Sequence, residues 1–276
     1  MSVDFTKKKQ VLVIHDVQAG SDDDLRRHEA IRKNVLKHLG GIALSFDAGV
    51  FKYEDISDEA AFVVKKALAA LTGNRVAGWI VDQAVDVTRD VAIALLKGPT
   101  YELIKDRFKA RIMASYDRQE PLFIVAHSLG TIYAFDAVND LMKQDGLFQW
   151  NRRDTRPVQG LMTLGSPIAF DLFGRDWRSM TDLVSEGKKV NNASRPFPWV
   201  NFWDPTDPIV SGSLAGLPSD AKQFTRKFRE RPYDVGWDVR SMATVTGLGH
   251  LEAHTAYWKD TFVGISLRSM MAKYGE

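Results

Sequence analysis

The sequence contains no cysteine. That removes disulfides, thiolate metal sites and a cysteine nucleophile together, and it suits a reducing compartment. Charge of one sign is not in excess either: 37 Lys and Arg stand against 35 Asp and Glu, for a formal charge of +2. Nucleic acid and anionic membranes are therefore not expected partners. Internal repeats and low-complexity tracts are absent. The first residues, Met1 to Lys9, run towards a strand without the apolar core of a signal peptide, so a cytoplasmic location is expected, with signal-independent export left open. The long apolar stretch 76–96 is interrupted by Asp82, Asp86, Arg89 and Asp90 and is not a membrane span. What the chain has in quantity is apolar and aromatic side chains. With 45% hydrophobic residues, seven Trp and fifteen Phe among 276, it can fill one large core and line a cleft.

The stretch Pro121 to Val138 organises the rest. Leu122 to Ala126 is an apolar run of the kind buried on both faces in the middle of a parallel sheet. After Ser128 the period changes, and Ile132, Phe135, Val138 and Leu141 or Met142 recur as on an amphipathic helix. Strand, turn and helix meet at one hydroxyl, with Ala126 two residues before it and Gly130 two after. A serine at a helix N-cap would account for the residue alone. Small residues on both sides point instead to a tight turn that lifts the hydroxyl clear of the sheet.

Here Ala126-His-Ser128-Leu-Gly130 resembles the nucleophile elbow of the α/β-hydrolase family, in particular its lipase- and esterase-like serine hydrolases. It departs from G-x-S-x-G at the first position, where Ala replaces Gly and tightens the turn. The resemblance implies an α/β fold, a mostly parallel sheet with helices on both faces, with Ser128 as nucleophile. It also implies that the N–H of Leu129 is one oxyanion donor. His127 reads as a packing residue.

Taken in order, Val11 to Ile14 is a short strand leading into His15-Asp16-Val17. The resemblance implies the Val17 N–H as second oxyanion donor, although Asp16 stands where the family has Gly. Ser21 and Asp22 to Asp24 read as the cap of a helix with Leu25, Ile31, Val35, Leu36 and Leu39 inward. That is the commoner role for helix-start acids than a metal cluster with His15 and Asp16. Gly40-Gly41 ends the helix and Ile42 to Phe46 reads as a strand. From Asp47 to Arg118 no strand is expected. Helices over 60–71, 76–96 and 101–116 are, and residues 56–97 either cover the sheet or form a cap over an acyl pocket.

Gln159 to Leu164 reads as a strand, followed by Gly165-Ser166-Pro167, which resembles the same point in lipase-like hydrolases; Pro167 argues against an elbow at Ser166. Trp199 to Trp203 is a strand closing on Asp204-Pro-Thr-Asp207-Pro, so both Asp204 and Asp207 are candidate acids, and the resemblance points to Asp207. Val239 to Val245 is the last expected strand. His250 and His254 both lie in the loop expected before a last helix that runs to about Met271. His254-Thr-Ala-Tyr-Trp resembles the family's base segment.

The expectation is a single α/β-hydrolase domain over 1–276, with 56–97 as a possible cap, that cleaves carboxylic esters through Ser128, Asp207 and His254. Asp204 and His250 are the alternates. The expected substrate is a small apolar acyl ester, with no cofactor, no metal and no transmembrane segment. Amide, thioester or lactone hydrolysis, acyl transfer to an alcohol, and a non-catalytic module that kept the fold are the alternatives.

Overall fold

The computed structural model describes residues 1–14, 27–38, 44–53, 98–143, 147, 152–168, 197–204, 207, 210, 236–238 and 250–275. Apolar runs without alternation need burial on both faces, and here they obtain it in one six-stranded sheet. Its strands are β1 (Lys9–Ile14), β2 (Phe46–Phe51), β3 (Leu122–His127), β4 (Gly160–Leu164), β5 (Trp199–Trp203) and β6 (Gly236–Asp238). Their order is β2-β1-β3-β4-β5-β6, and every pairing is parallel.

Parallel neighbours need crossovers, which lay helices on both faces of the sheet. The described helices are α1 (Arg27–Lys37), α2 (Pro99–Asp117), α3 (Gly130–Lys143), α4 (His250–Thr255) and α5 (Thr261–Tyr274). Strand residues alternate between the two sides. Leu12, Ile14, Ile124 and Ala126 pack with Ile104 and Phe108 of α2 and with Ile132 and Phe135 of α3. Val11, Val13, Phe123 and Val125 pack with Ile31 and Val35 of α1 and with Val263 and Leu267 of α5. Each fully buried Val, Leu, Ile or Phe contributes about 1.5–3 kcal/mol.

From β1 the chain goes to β2 on one side and then to β3 on the other. The carboxyl ends of β1 and β3 therefore flank the point where the strand order reverses, the place where open parallel sheets bind ligands. Ile14 lies in register with Ala126 there, so the sheet delivers the residues after β3 to that crevice.

Four expectations change. A strand does occur after Asp47: β2 covers Phe46–Phe51 rather than Ile42 to Phe46, and residues 41–43 lie outside the described set. Among the described residues β2 pairs with β1 alone, and edge strands need no continuous apolar run. Phe46, Ala48 and Val50 join the α1–α5 side, while Phe51 packs on the α2–α3 side. Second, Leu36 is 39% exposed although Ile31 and Val35 are fully buried, because it lies one residue, about 100° of helix, beyond the buried stripe. Third, a strand occurs at Gly236–Asp238, whose three residues show no apolar run; the strand expected over Val239 to Val245 lies outside the described residues. Fourth, the segment carrying His254 is not a loop. It is the short helix α4, continued by a 3₁₀ turn, Ala256–Lys259, too brief for a periodicity to show. Asn34 of α1 ties this segment down by donating from Nδ2 to the carbonyl of Asp260 at 2.7 Å.

The expected cap 56–97, Val17, and His15 with the acids at 22–24 all lie outside the described residues. Among the described residues no helix is long and apolar enough to cross a membrane, and no group of three or more His, Asp or Glu is placed to hold a metal ion.

Candidate active site

Ser128 follows β3 directly, and its backbone is in the left-handed region at φ 51°. A residue with a Cβ is uncommon there, and holding it costs of order 1–3 kcal/mol unless its surroundings enforce it. They do. The Ser128 N–H donates to the carbonyl of Leu164 at the end of β4, at 3.0 Å. Its carbonyl accepts from the Thr131 N–H at 3.0 Å and from Thr131 Oγ1 at 2.5 Å.

With the Thr131 proton given to Ser128, the 2.7 Å contact between Thr131 Oγ1 and Ser166 Oγ has Ser166 as donor. Ser166 Oγ accepts in turn from the Ile168 N–H at 3.2 Å. The serine set aside as a nucleophile thus braces the elbow. Leu129 is buried in the turn just before Gly130 opens α3, and the first N–H groups of a helix have no acceptor within it. Ala126 is fully buried and packed into the α2–α3 side of the core, which accommodates its extra methyl group at the family's glycine position.

Asp207 and His254 meet next to this turn. Nδ1 of His254 lies 2.8 Å from Oδ2 of Asp207, which is fully buried. A carboxylate accepts, so Nδ1 carries the proton, and in the neutral ring Nε2 is the nitrogen able to take one. Of the two candidate acids, the structure brings Asp207 to the imidazole. Asp204, also buried, starts the turn: its carbonyl accepts from the Asp207 N–H at 3.0 Å. Of the two candidate bases, His254 is brought to an acid; His250 opens α4, and its side chain lies outside the described set.

Gly165 joins the two halves of the site. It directly follows Leu164, the partner of the Ser128 N–H, and has φ +55°. A Cβ on it would lie 2.8 Å from Tyr257 Cε2, 2.9 Å from Asp207 Oδ2 and 3.2 Å from His254 Cε1. The elbow and the acid–base pair are therefore within van der Waals reach of the same backbone position.

Two residues of the site went unrecognised in the sequence. His127 is fully buried, and its ring packs 4.5 Å from the His254 ring, centroid to centroid. Its Nε2 is 2.7 Å from the His254 carbonyl oxygen, which can only accept, so Nε2 is protonated and donates. His127 packs, as its position implied, but it packs on the candidate base. Tyr257 donates from its hydroxyl to Asp207 Oδ2 at 2.9 Å. Its place three residues after His254 is the signal that would have found it once that segment is known to be helical.

A groove of about 400 Å³ lined by Lys8, Arg32, Leu36, Leu44, Ser45 and Phe46 lies elsewhere. Lys8 and Ser45 precede β1 and β2, so the groove opens at the opposite end of the strands from Ser128.

No protein-family model matches the chain, and no curated protein matches it. Solved structures to which it is similar include a protein of Xanthomonas campestris pv. campestris assigned to the alpha/beta hydrolase superfamily, at 10% identity over 95% of this chain and 97% of that one, TM-score 0.42. Another is the esterase Pf2001 of Pyrococcus furiosus, at 12% identity over 99% of this chain and 86% of that one, TM-score 0.37. A third is esterase 2 of Thermogutta terrifontis, at 11% identity over 98% and 85%, TM-score 0.36. Likenesses this distant leave the chemistry to the chain's own residues. The parallel order β2-β1-β3-β4-β5-β6, helices on both faces, and a strand–turn–helix at the switch point with Ser128 at positive φ give this chain the α/β-hydrolase fold.

Proposed function

We propose that the chain is a serine hydrolase that cleaves carboxylic esters, with Ser128 as nucleophile, His254 as general base and Asp207 as the acid that orients it. The observation that carries this is the buried Asp207–His254 contact at 2.8 Å, which fixes the proton on Nδ1 beside a serine held in an elbow. Burying a carboxylate costs several kcal/mol unless it is paired, and here its partner is an imidazole packed against a serine elbow, which favours a catalytic site over a module that only kept the fold.

In the reaction, His254 Nε2 takes the Ser128 Oγ proton as Oγ attacks the ester carbonyl. The oxygen of the tetrahedral adduct gains a negative charge and is held by backbone N–H groups, that of Leu129 and, on the resemblance, that of Val17. Each such donor is worth roughly 3–4 kcal/mol of transition-state stabilisation. The imidazolium then protonates the departing alcohol, leaving Ser128 acylated. Water, deprotonated by the same nitrogen, attacks the acyl-enzyme and restores Ser128. Asp207 stabilises the imidazolium throughout, and no step calls for a metal or a cofactor.

The substrate class we favour is a neutral apolar acyl ester of short to medium chain. The near-balanced charge supports it, as does the high apolar content of residues 56–97. The test is hydrolysis of p-nitrophenyl esters from acetyl to octanoyl by the wild type and Ser128→Ala. Each buried methylene is worth about 0.8 kcal/mol, so kcat/KM should rise about fourfold per added carbon before it levels off, and Ser128→Ala should show neither turnover nor fluorophosphonate labelling. Turnover that survives Ser128→Ala would remove the assignment. Labelling of Ser128 without ester turnover would move the reaction to amides, thioesters or lactones.

A further inference from the structure

We propose that Tyr257 is a positioning residue of the reaction: its hydroxyl holds the acid Asp207 and sets how strongly His254 is drawn to a proton. The inference rests on the assignment of Ser128, Asp207 and His254 above and adds a residue that neither the elbow nor the triad order identifies.

Three contacts meet at this phenol. It donates to Asp207 Oδ2 at 2.9 Å, the same oxygen that His254 Nδ1 approaches at 2.8 Å. It accepts from the Asp204 N–H at 2.8 Å. Asp204 and Asp207 are the two ends of the acid turn, closed by the Asp207 N–H to the Asp204 carbonyl at 3.0 Å. One hydroxyl therefore ties the backbone at the start of the turn to the carboxylate at its end.

The donors come from consecutive turns of one segment. His254 and Tyr257 are three residues apart across the end of α4 and the 3₁₀ turn that follows, a spacing that puts two side chains on one side of a helix. Room for this is made by Gly165, where a Cβ would lie 2.8 Å from the tyrosine ring. Phenylalanine would fill the same fully buried space and supply neither hydrogen bond.

A carboxylate oxygen that accepts a second hydrogen bond spreads its charge over two donors and stabilises an imidazolium less. The phenol is a constant donor, because burial first, and then the Asp207 charge, push its pKa well above the ordinary tyrosine value. Among the described residues the titratable groups packed around His254 are Asp207, Tyr257 and His127, with Asp204 behind the phenol. His127 is oriented through the His254 carbonyl, so of these Tyr257 is the one that works on the base through the acid.

The experiment is the pH profile of kcat/KM on p-nitrophenyl butyrate, whose acid limb reports the imidazole of the free enzyme. Tyr257→Phe removes one donor from the Asp207 carboxylate, so the imidazole pKa rises and the acid limb moves up by about half a unit. The plateau should fall about tenfold, the loss expected for one hydrogen bond to a charged group. On an Asp207→Asn background the same change should alter the rate by less than about twofold, because the effect runs through the carboxylate. Should Tyr257→Phe fail to fold, 3-fluorotyrosine at 257 keeps the shape and donates more strongly, and it should move the limb down. Limbs that superimpose on wild type for both variants overturn the inference and reduce Tyr257 to packing. Turnover surviving Ser128→Ala or His254→Ala would instead overturn the triad, so the two failures are distinguishable.

Discussion

Ser128 is positioned by residues close to it in the chain, whereas Asp207 and His254 are positioned by residues far from them. The elbow needs β3, the first turn of α3 and Thr131, all within 122–143, and among the described residues it borrows from outside the Leu164 carbonyl and the Ser166 hydroxyl. The acid–base pair joins residues 47 apart and is braced by His127, 127 positions before His254. The first half is held by backbone conformation, paid for in local strain; the second is held by buried hydrogen bonds among side chains. Damage to the first should therefore change stability and reactivity through the chain's own geometry. Damage to the second should act through charge and orientation.

The largest effect should come from the acid–base half. His254→Ala and Asp207→Asn are each expected to lower kcat by about a thousandfold or more, while His250→Ala and Asp204→Asn should retain most of the activity. Because the groups act as a unit, adding His254→Ala to Ser128→Ala should cost little further. Steady-state kinetics on one ester decide this, and a dead His250→Ala beside a live His254→Ala would shift the base by one helical turn.

Next in size is Gly165→Ala, which strikes where the halves touch. The added methyl would meet Asp207 Oδ2 and the tyrosine ring in a residue already at φ +55°, so thermal or denaturant unfolding should show a loss of about 1–3 kcal/mol. Activity should fall with it, since the acid and base must shift to make room. A variant with wild-type stability and rate would show that the two halves are not packed against one backbone position.

The smallest effect isolates the strain at the elbow. Ser128→Gly should be more stable than Ser128→Ala by about 1 kcal/mol, because glycine accepts a positive φ that alanine does not. Both variants should be inactive, so calorimetry alone separates them. Equal melting temperatures would mean that φ 51° at this position is not a strained state.

The elbow was legible because its information is local. An apolar run, a change of period at Ser128 and small residues at 126 and 130 are all visible between Leu122 and Val138, and β3 and α3 form where that pattern places them. β5 was equally plain, as four of its five residues are bulky and apolar. β2 and β6 were not, because an edge strand tolerates Asp47 and Gly49 and a three-residue strand has no period. His127 looked like packing, and Tyr257 like one letter of the segment around His254, because nothing in their neighbours says what they touch.

By itself, then, the sequence determined the parallel α/β architecture, the position of the serine and a short set of acids and bases to meet it, since hydrophobic period and turn chemistry act over a few residues. Only the tertiary structure brought Asp207, rather than Asp204, to the imidazole of His254, and revealed that a tyrosine and a second histidine brace the pair. Those choices depend on distances of about 3 Å between β3, the turn after β5, and α4 with the 3₁₀ turn that follows it, set by the order of strands in the sheet and the packing of helices on it.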